Sequence, residues 1–473
     1  MGRLKSCRAW GASVLLLASC AGGIALAQPA PGALAEPSRD PLHVDRAGDP
    51  ILQLGASRAS FEEFRAVIAA AVARHPARAE QEAVTDEARA VLAEARERQR
   101  PSADASITSY RVISREFSND PENIIERSRP DQRTDAQLSI QQTIFDFGAG
   151  DSRVRASGAR LRAAALEAEA TSDRVALSAI AAWYDIFAYR ALTILTETFT
   201  DSQRQLRASV EERVTAGVSA PGDVARVESY IASAETRLAR FRRQLANAEA
   251  RFAELAGAPA PGAVERAPAP AVPAQTRDAA VLAAARSPAV LSAERIAEAS
   301  RQEHRAARAD RLPQVAAGID AGRYGVFEND RDYDIRGRVS IRQRLFGGVD
   351  ARADQLGARA RASEARADRV REEASRDAAI AWSDVAALEE QLAALEASYI
   401  AARRSRDVIV ERFRAARGSL FDVVAAEDTY FSAATAYIQA IAELDAARYV
   451  LLSRTGRLLD VLAIAGAPEE GRR

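Results

Sequence analysis

The residues best placed to act together are charged, and they gather at two matched turns. One turn reads Ala216-Gly217-Val218-Ser219-Ala220-Pro221-Gly222-Asp223 and is followed by Arg226. The other reads Ala416-Arg417-Gly418-Ser419-Leu420-Phe421-Asp422 and is followed by Glu427 and Asp428. Carboxylates and a guanidinium so close together can pair, repel or attract a cation, so their chemistry is electrostatic. Asp223 and Asp422 can also cap the helix that leaves each turn, and Gly217 and Gly418 can take left-handed backbone at the end of the helix that enters it. Catalysis is not expected. The chain has no Gly-x-Ser-x-Gly elbow, no His-Glu-x-x-His helix and no phosphate loop. His43, His75 and His304 stand alone, without neighbouring metal-ligand types, so neither a metal nor a cofactor is expected.

A second charged set lies on an alternating segment. Arg336, Arg338 and Arg342 alternate with Ile335, Gly337, Val339 and Ile341, which puts the arginines on one face of a strand and the aliphatic residues on the other. Similar alternation predicts strands over about 102–112, 134–143, 314–324 and 333–343, joined in pairs by polar loops. The arginine row could be the wet face of a soluble sheet or the lumen wall of a membrane barrel, whose strands have this length.

These sites are positioned by an internal duplication. Ser139-Ile140-Gln141-Gln142-Thr143-Ile144-Phe145-Asp146-Phe147-Gly148 is echoed by Ser340-Ile341-Arg342-Gln343-Arg344-Leu345-Phe346-Gly347-Gly348. The offset of about 200 residues is far longer than a solenoid repeat. Pro76 and Pro101 in one half, and Pro288 and Pro313 in the other, share a spacing of 25 and mark helix boundaries. After each echoed segment comes a long proline-free stretch rich in Ala, Leu, Arg and Glu, then a turn and a returning helix. Helical hairpins are therefore expected over about 152–256 and 350–455. Trp183 and Trp382 hold equivalent places and read as repeated packing wedges. The first repeat spans 59–257, a Pro/Ala-rich linker 258–275, the second repeat 276–462 and a polar tail 463–473. Residues 28–58, rich in Pro, Gly, Ala and Asp, read as a flexible lead-in.

Residues 1–27 have the form of a secretion signal, with Arg3, Lys5 and Arg8, an apolar centre, and Ala25-Leu26-Ala27 as a cleavage site. Leu17-Ala18-Ser19-Cys20 also resembles a lipoprotein box, in which Cys20 would be acylated, and both readings stand. Removing the leader takes the chain from 65 basic and 66 acidic residues to 62 and 66. That near-balance argues against nucleic acid as a partner. The only other cysteine, Cys7, lies in the leader, so no disulfide framework supports the exported chain.

Taken together, the paired Ile144-Phe145-Asp146-Phe147-Gly148 and Leu345-Phe346-Gly347-Gly348 segments and the Gly217…Asp223-Val224 and Gly418…Asp422-Val423 turns resemble the TolC family of outer-membrane secretion and efflux channels. The resemblance implies a mainly α-helical fold with a membrane β-barrel: a long coiled-coil barrel and four strands per chain, giving a 12-stranded barrel in a homotrimer. It implies location in the Gram-negative outer membrane with a large periplasmic portion, in contact with outer-membrane lipid. It also implies a periplasmic adaptor and an inner-membrane ABC transporter or proton-driven pump as partners. A periplasmic gate is expected at the turn tips. Asp422 matches the family's first gate aspartate, whereas Ala425 stands where a second is found. Cargo could be an unfolded protein, as in type I secretion, which is the favoured reading, or a small toxic molecule. A periplasmic coiled-coil scaffold or adaptor is the alternative of a different class. Four strands from one chain cannot close a barrel without leaving unpaired backbone groups in lipid, which independently favours an oligomer.

Overall fold

The computed structural model describes residues 31–464 except 39, 57, 119–120, 269, 271–273, 329–331 and 416. The expected signal sequence with Cys20, and residues 465–473, lie outside the described residues.

Along the chain the elements are α1 (Phe61–Arg74), α2 (Pro76–Glu97), β1 (Ser102–Arg111), α3 (Ile124–Arg127), β2 (Gln132–Phe145), α4 (Ala149–Thr215) and α5 (Pro221–Ala256). The second half repeats the order with α6 (Arg277–Ala284), α7 (Pro288–Ala309), β3 (Gln314–Tyr324), β4 (Tyr333–Arg342), α8 (Val349–Arg414) and α9 (Leu420–Arg454), closed by α10 (Leu458–Val461). The described residues are mainly helical, with four antiparallel strands.

The two longest helices begin in the same way. Phe147 and Gly148 have φ of 56° and 79°, and Gly347 and Gly348 have φ of 98° and 83°. Two successive left-handed residues turn each strand into its helix. Glycine adopts this conformation without the Cβ clash that disfavours it elsewhere, and Phe147 is the exception. Its ring packs edge-on against Phe145 with centroids 4.6 Å apart. Asp146 also accepts from the amides of Gly148 and Gly150 at 3.0 and 2.6 Å, fixing the first copy of the turn.

At 1.5 Å per residue, the 67 residues of α4 extend about 100 Å. An 18-residue window of α4 is apolar enough to cross a membrane, but 67% of it is buried inside the protein. It is a core helix. Near the sheet, α4 and α8 pack with the shorter α2 and α7; towards the tips they pack with α5 and α9. The short helices meet end to end. Arg74, ending α1 just before α2, donates to the carbonyl of Ala256 at the end of α5 at 3.0 Å. In the second half, Gly456 after α9 sits so close to Ser287 that an added Cβ would lie 3.3 Å from its Cα.

A belt of non-helical chain wraps this junction. Leu34, Val44 and Ile51 from the N-terminal segment, and Val264 and Ala267 from the linker, belong to the largest apolar core with Phe64, Trp183, Tyr184 and Tyr449. Composition made residues 28–58 a flexible lead-in; the described part is instead packed, and Asp49 and Ile51 are fully buried. Trp183 stands edge-on to Phe64 at 5.3 Å and donates its indole N–H to Glu265. Trp382 is only partly buried and borders a smaller core of α6, α8 and α9. His75 caps α2 by accepting from the Ala77 amide at 3.2 Å.

Candidate functional site

The four strands form one sheet in the order β1-β2-β3-β4. Direct register pairs align Asp104 with Ser139, Ser139 with Asp320 and Asp320 with Arg336, so these four residues cross the sheet on one face. Arg338 and Arg342 share that face. Arg336 pairs with Asp334, and Arg338 lies 3.7 Å from Asp320. Arg342 is exposed and forms no ion pair among the described residues. On the opposite face Ile107, Leu138, Ile319, Ile335, Val339 and Ile341 are exposed, Val339 by 74%. An apolar face this open requires a cover. The outer edges of β1 and β4 have no strand partner among the described residues, and unpaired edges are intolerable in lipid.

At the far end, the two tips differ from each other. Ser419 is the N-cap of α9: its hydroxyl accepts from the Asp422 amide at 3.2 Å and donates to the Asp422 carboxylate at 2.7 Å. The cap is therefore Ser419, with Asp422 at the third helical position, a reciprocal arrangement. At the other tip, Ala220 precedes Pro221 and no side chain caps α5, so Asp223 is not a cap. Its carboxylate lies in the first turn, where the helix dipole favours it. Arg226 is exposed and forms no ion pair among the described residues. Gly217 is left-handed at φ 72°, as expected. Gly418 is not. Its role is steric, because an added Cβ would sit 3.3 Å from the Phe413 amide nitrogen. Asp422 is exposed beside a groove of about 460 Å³ between α8 and α9, lined also by Ser405, Ile409 and Arg412.

Glu427 and Asp428 do not join the tip. Asp428 bridges to Arg237 on α5 at 2.8 Å. Glu427, expected beside the entrance, is buried to 4% exposure and faces Arg406 on α8. Helical geometry explains both: residues five and six positions beyond Asp422 have turned away from it, towards the neighbouring helices.

Sequence reasoning missed the cluster that Glu427 enters. Tyr399 donates to both oxygens of Asp49 at 2.9 Å and lies 3.1 Å from the Tyr430 hydroxyl. Arg403 pairs with Asp49, and Arg406 pairs with Asp407 at 2.7 Å. Arg406 also donates to the Ala35 carbonyl at 2.7 Å and stacks 4.4 Å above the Tyr430 ring. Burial pushes the carboxyls of Glu427 and Asp407 above their ordinary range, against the opposing pull of Arg406. The spacing of Tyr399, Arg403 and Arg406 on one helical face was a readable signal. Asp49, some 350 residues away, gave none.

No arrangement here supports catalysis, and no group of three or more His, Cys, Asp or Glu among the described residues could hold a metal. A sheet with one polar and one apolar face, two free edges and long helical hairpins below it is the build of an outer-membrane channel protein.

The chain belongs to the outer membrane efflux protein family, whose model matches residues 67–258 and 279–457, the TolC-type channels that its repeats resemble. It is a passive conduit, not an enzyme. Solved structures share the fold. The outer-membrane channel OprN is 20% identical with a TM-score of 0.72, over 82% of this chain and 89% of that one. The outer membrane protein VceC of Vibrio cholerae is 18% identical with a TM-score of 0.71, over 83% and 96%. The CmeC outer membrane channel of Campylobacter jejuni is 14% identical with a TM-score of 0.72, over 86% and 91%. No curated protein matches the chain.

Proposed function

We propose that three copies close a 12-stranded barrel and that the trimer is the exit duct of a tripartite small-molecule efflux machine. The observation that carries the oligomer is the four-stranded sheet itself, with its exposed aliphatic face and unpaired edges. The β4 edge of one copy meets the β1 edge of the next in the antiparallel sense, and three repeats leave no edge in lipid. The arginine-bearing face then lines the lumen, with Arg336, Arg338 and Arg342 facing the cargo.

In this reading the helical hairpins form a periplasmic tunnel that docks an adaptor protein, and an inner-membrane pump supplies the energy. The tips form its entrance, with Asp422, Asp223 and Arg226 as the charged groups that set its closed state. Efflux replaces protein secretion as the favoured cargo class, because the matching family is described by efflux. The residues themselves do not separate the two cargoes, since a passive duct accepts what its pump delivers.

Single-channel recording of the purified protein, with its mass in detergent, tests the duct. Discrete channels from a trimer are the expected result; a soluble monomer without channels would overturn the reading in favour of a periplasmic scaffold. Deletion of the gene separates the cargoes. Lower resistance to small toxic compounds with an unchanged set of exported proteins is expected, and the reverse would restore protein secretion.

A further inference from the structure

The Asp49–Glu427 cluster is unbalanced. Three carboxylates (Asp49, Asp407 and Glu427) face two guanidiniums (Arg403 and Arg406), and Asp49, Arg406 and Asp407 are each only 1% exposed. A buried, uncompensated charge is costly, and such a group sheds it by binding or releasing a proton.

The hydrogen-bond partners single out the carboxylate with the weakest compensation. Asp49 Oδ1 accepts from the amides of Ile51 and Leu52 at 2.8 and 2.9 Å and from Tyr399, while Oδ2 accepts from Tyr399 and Arg403. Both of its oxygens are supplied with donors. Asp407 Oδ1 is likewise buried without a well-aligned hydrogen bond, but Asp407 lies between two guanidiniums, Arg406 at 2.7 Å and Arg403 at 3.9 Å, and also accepts from the Ser38 amide. Glu427 has only a long 3.4 Å contact from Arg406 to Oε1, and its Oε2 is buried without a hydrogen-bond partner. The charges acting on it are those of Arg406 and Asp407, both from α8. From the N-terminal segment, Asp49 is engaged by Tyr399, whose hydroxyl lies beside that of Tyr430, rather than by Glu427. From α5, Arg237 is engaged by Asp428.

We propose that Glu427 binds one proton from solvent and that this proton balances the cluster clasping the N-terminal segment onto the α8–α9 hairpin. The clasp has three attachment points: the Ala35 carbonyl on Arg406, the Ser38 amide on Asp407, and Asp49 on Arg403 and Tyr399. Loss of the proton leaves a second buried anion beside Asp407, weakens the hold of Arg406 on Ala35, and loosens the segment. Because burial raises the Glu427 pKa, the stabilisation is present at low pH and is lost as pH rises through that raised value. The inference does not depend on the channel reading, since it concerns contacts within one chain.

Hydrogen exchange over residues 31–56 of the full-length protein in detergent, corrected for intrinsic rates between about pH 5 and pH 9, tests it. Wild-type protection should fall with rising pH, by up to about tenfold per unit. Glu427→Gln, a neutral isostere, should hold its acid-side protection throughout. Flat wild-type protection, or a Glu427→Gln profile that falls in step with wild type, would overturn the proposal. Asp49→Asn provides a second arm that leaves Glu427 intact. It should lower protection at every pH, and unchanged protection would show that the cluster does not hold the segment.

Discussion

Arg213, in the last turn of α4, donates to the backbone carbonyl of Phe413 on α8 at 3.3 Å and holds its guanidinium 4.4 Å from the centre of the same residue's ring. One side chain thus ties the two hairpins together just above their tips, over an apolar cluster of Val210, Val227, Val410, Leu420 and Val424. Arg237 makes a second tie further up, pairing with Asp428 and lying 5.3 Å from the Phe431 ring.

If the tips form the entrance, cutting the first tie should loosen it. Arg213→Ala is expected to cost about 1–2 kcal/mol of stability and to raise single-channel conductance. Trimers of this variant with wild-type conductance would show that the tie does not restrain the entrance.

If Asp422 gates the entrance, capping and gating are separable at the second tip, because the cap is Ser419. Ser419→Ala should destabilise the protein by about 1 kcal/mol in thermal unfolding, with the Asp422 charge retained. Asp422→Asn keeps a side chain able to accept from Ser419, so its main effect should be on conductance and its sensitivity to divalent cations. A variant that shifts unfolding while leaving conductance unaltered would assign Asp422 to the helix end alone.

The paired left-handed turns give a test of the duplication. A Cβ added at Gly148 or Gly348 meets nothing within 4 Å, so an alanine there is strained only through its backbone. Gly148→Ala and Gly348→Ala should each cost about 1–2 kcal/mol, read as similar falls in unfolding temperature. A negligible effect at one site would show that its strand-to-helix turn relaxes independently.

The two faces of the sheet should respond oppositely to charge. Val339→Arg places a cation on the aliphatic face and should cost about 2–4 kcal/mol near mid-membrane, less towards either interface, reducing heat-modifiable trimer in outer-membrane fractions. Arg338→Gln, on the polar face, should leave trimer levels intact and change ion selectivity. Equal tolerance of both variants would contradict a lipid-facing aliphatic side.

Local order was legible in the residues because its causes are local. Period-two alternation placed Ile335, Val339 and Ile341 opposite Arg336 and Arg338, and the echoed Phe and Gly segments marked the two strand-to-helix turns. Proline-free stretches rich in alanine, arginine and glutamate gave the long helices, since backbone preference acts within a few residues. Tertiary packing decided what those preferences leave open. Glu427 and Asp422 are five positions apart, yet one is buried against Arg406 and the other is exposed beside a groove. Gly217 and Gly418 share a motif, yet backbone conformation explains one and close approach to Phe413 the other. The segment around Asp49 has the composition of a loose tail, and it is ordered by partners some 350 residues away. Such contacts form only when distant helices present matching charge and shape, and no local pattern in the chain records that match.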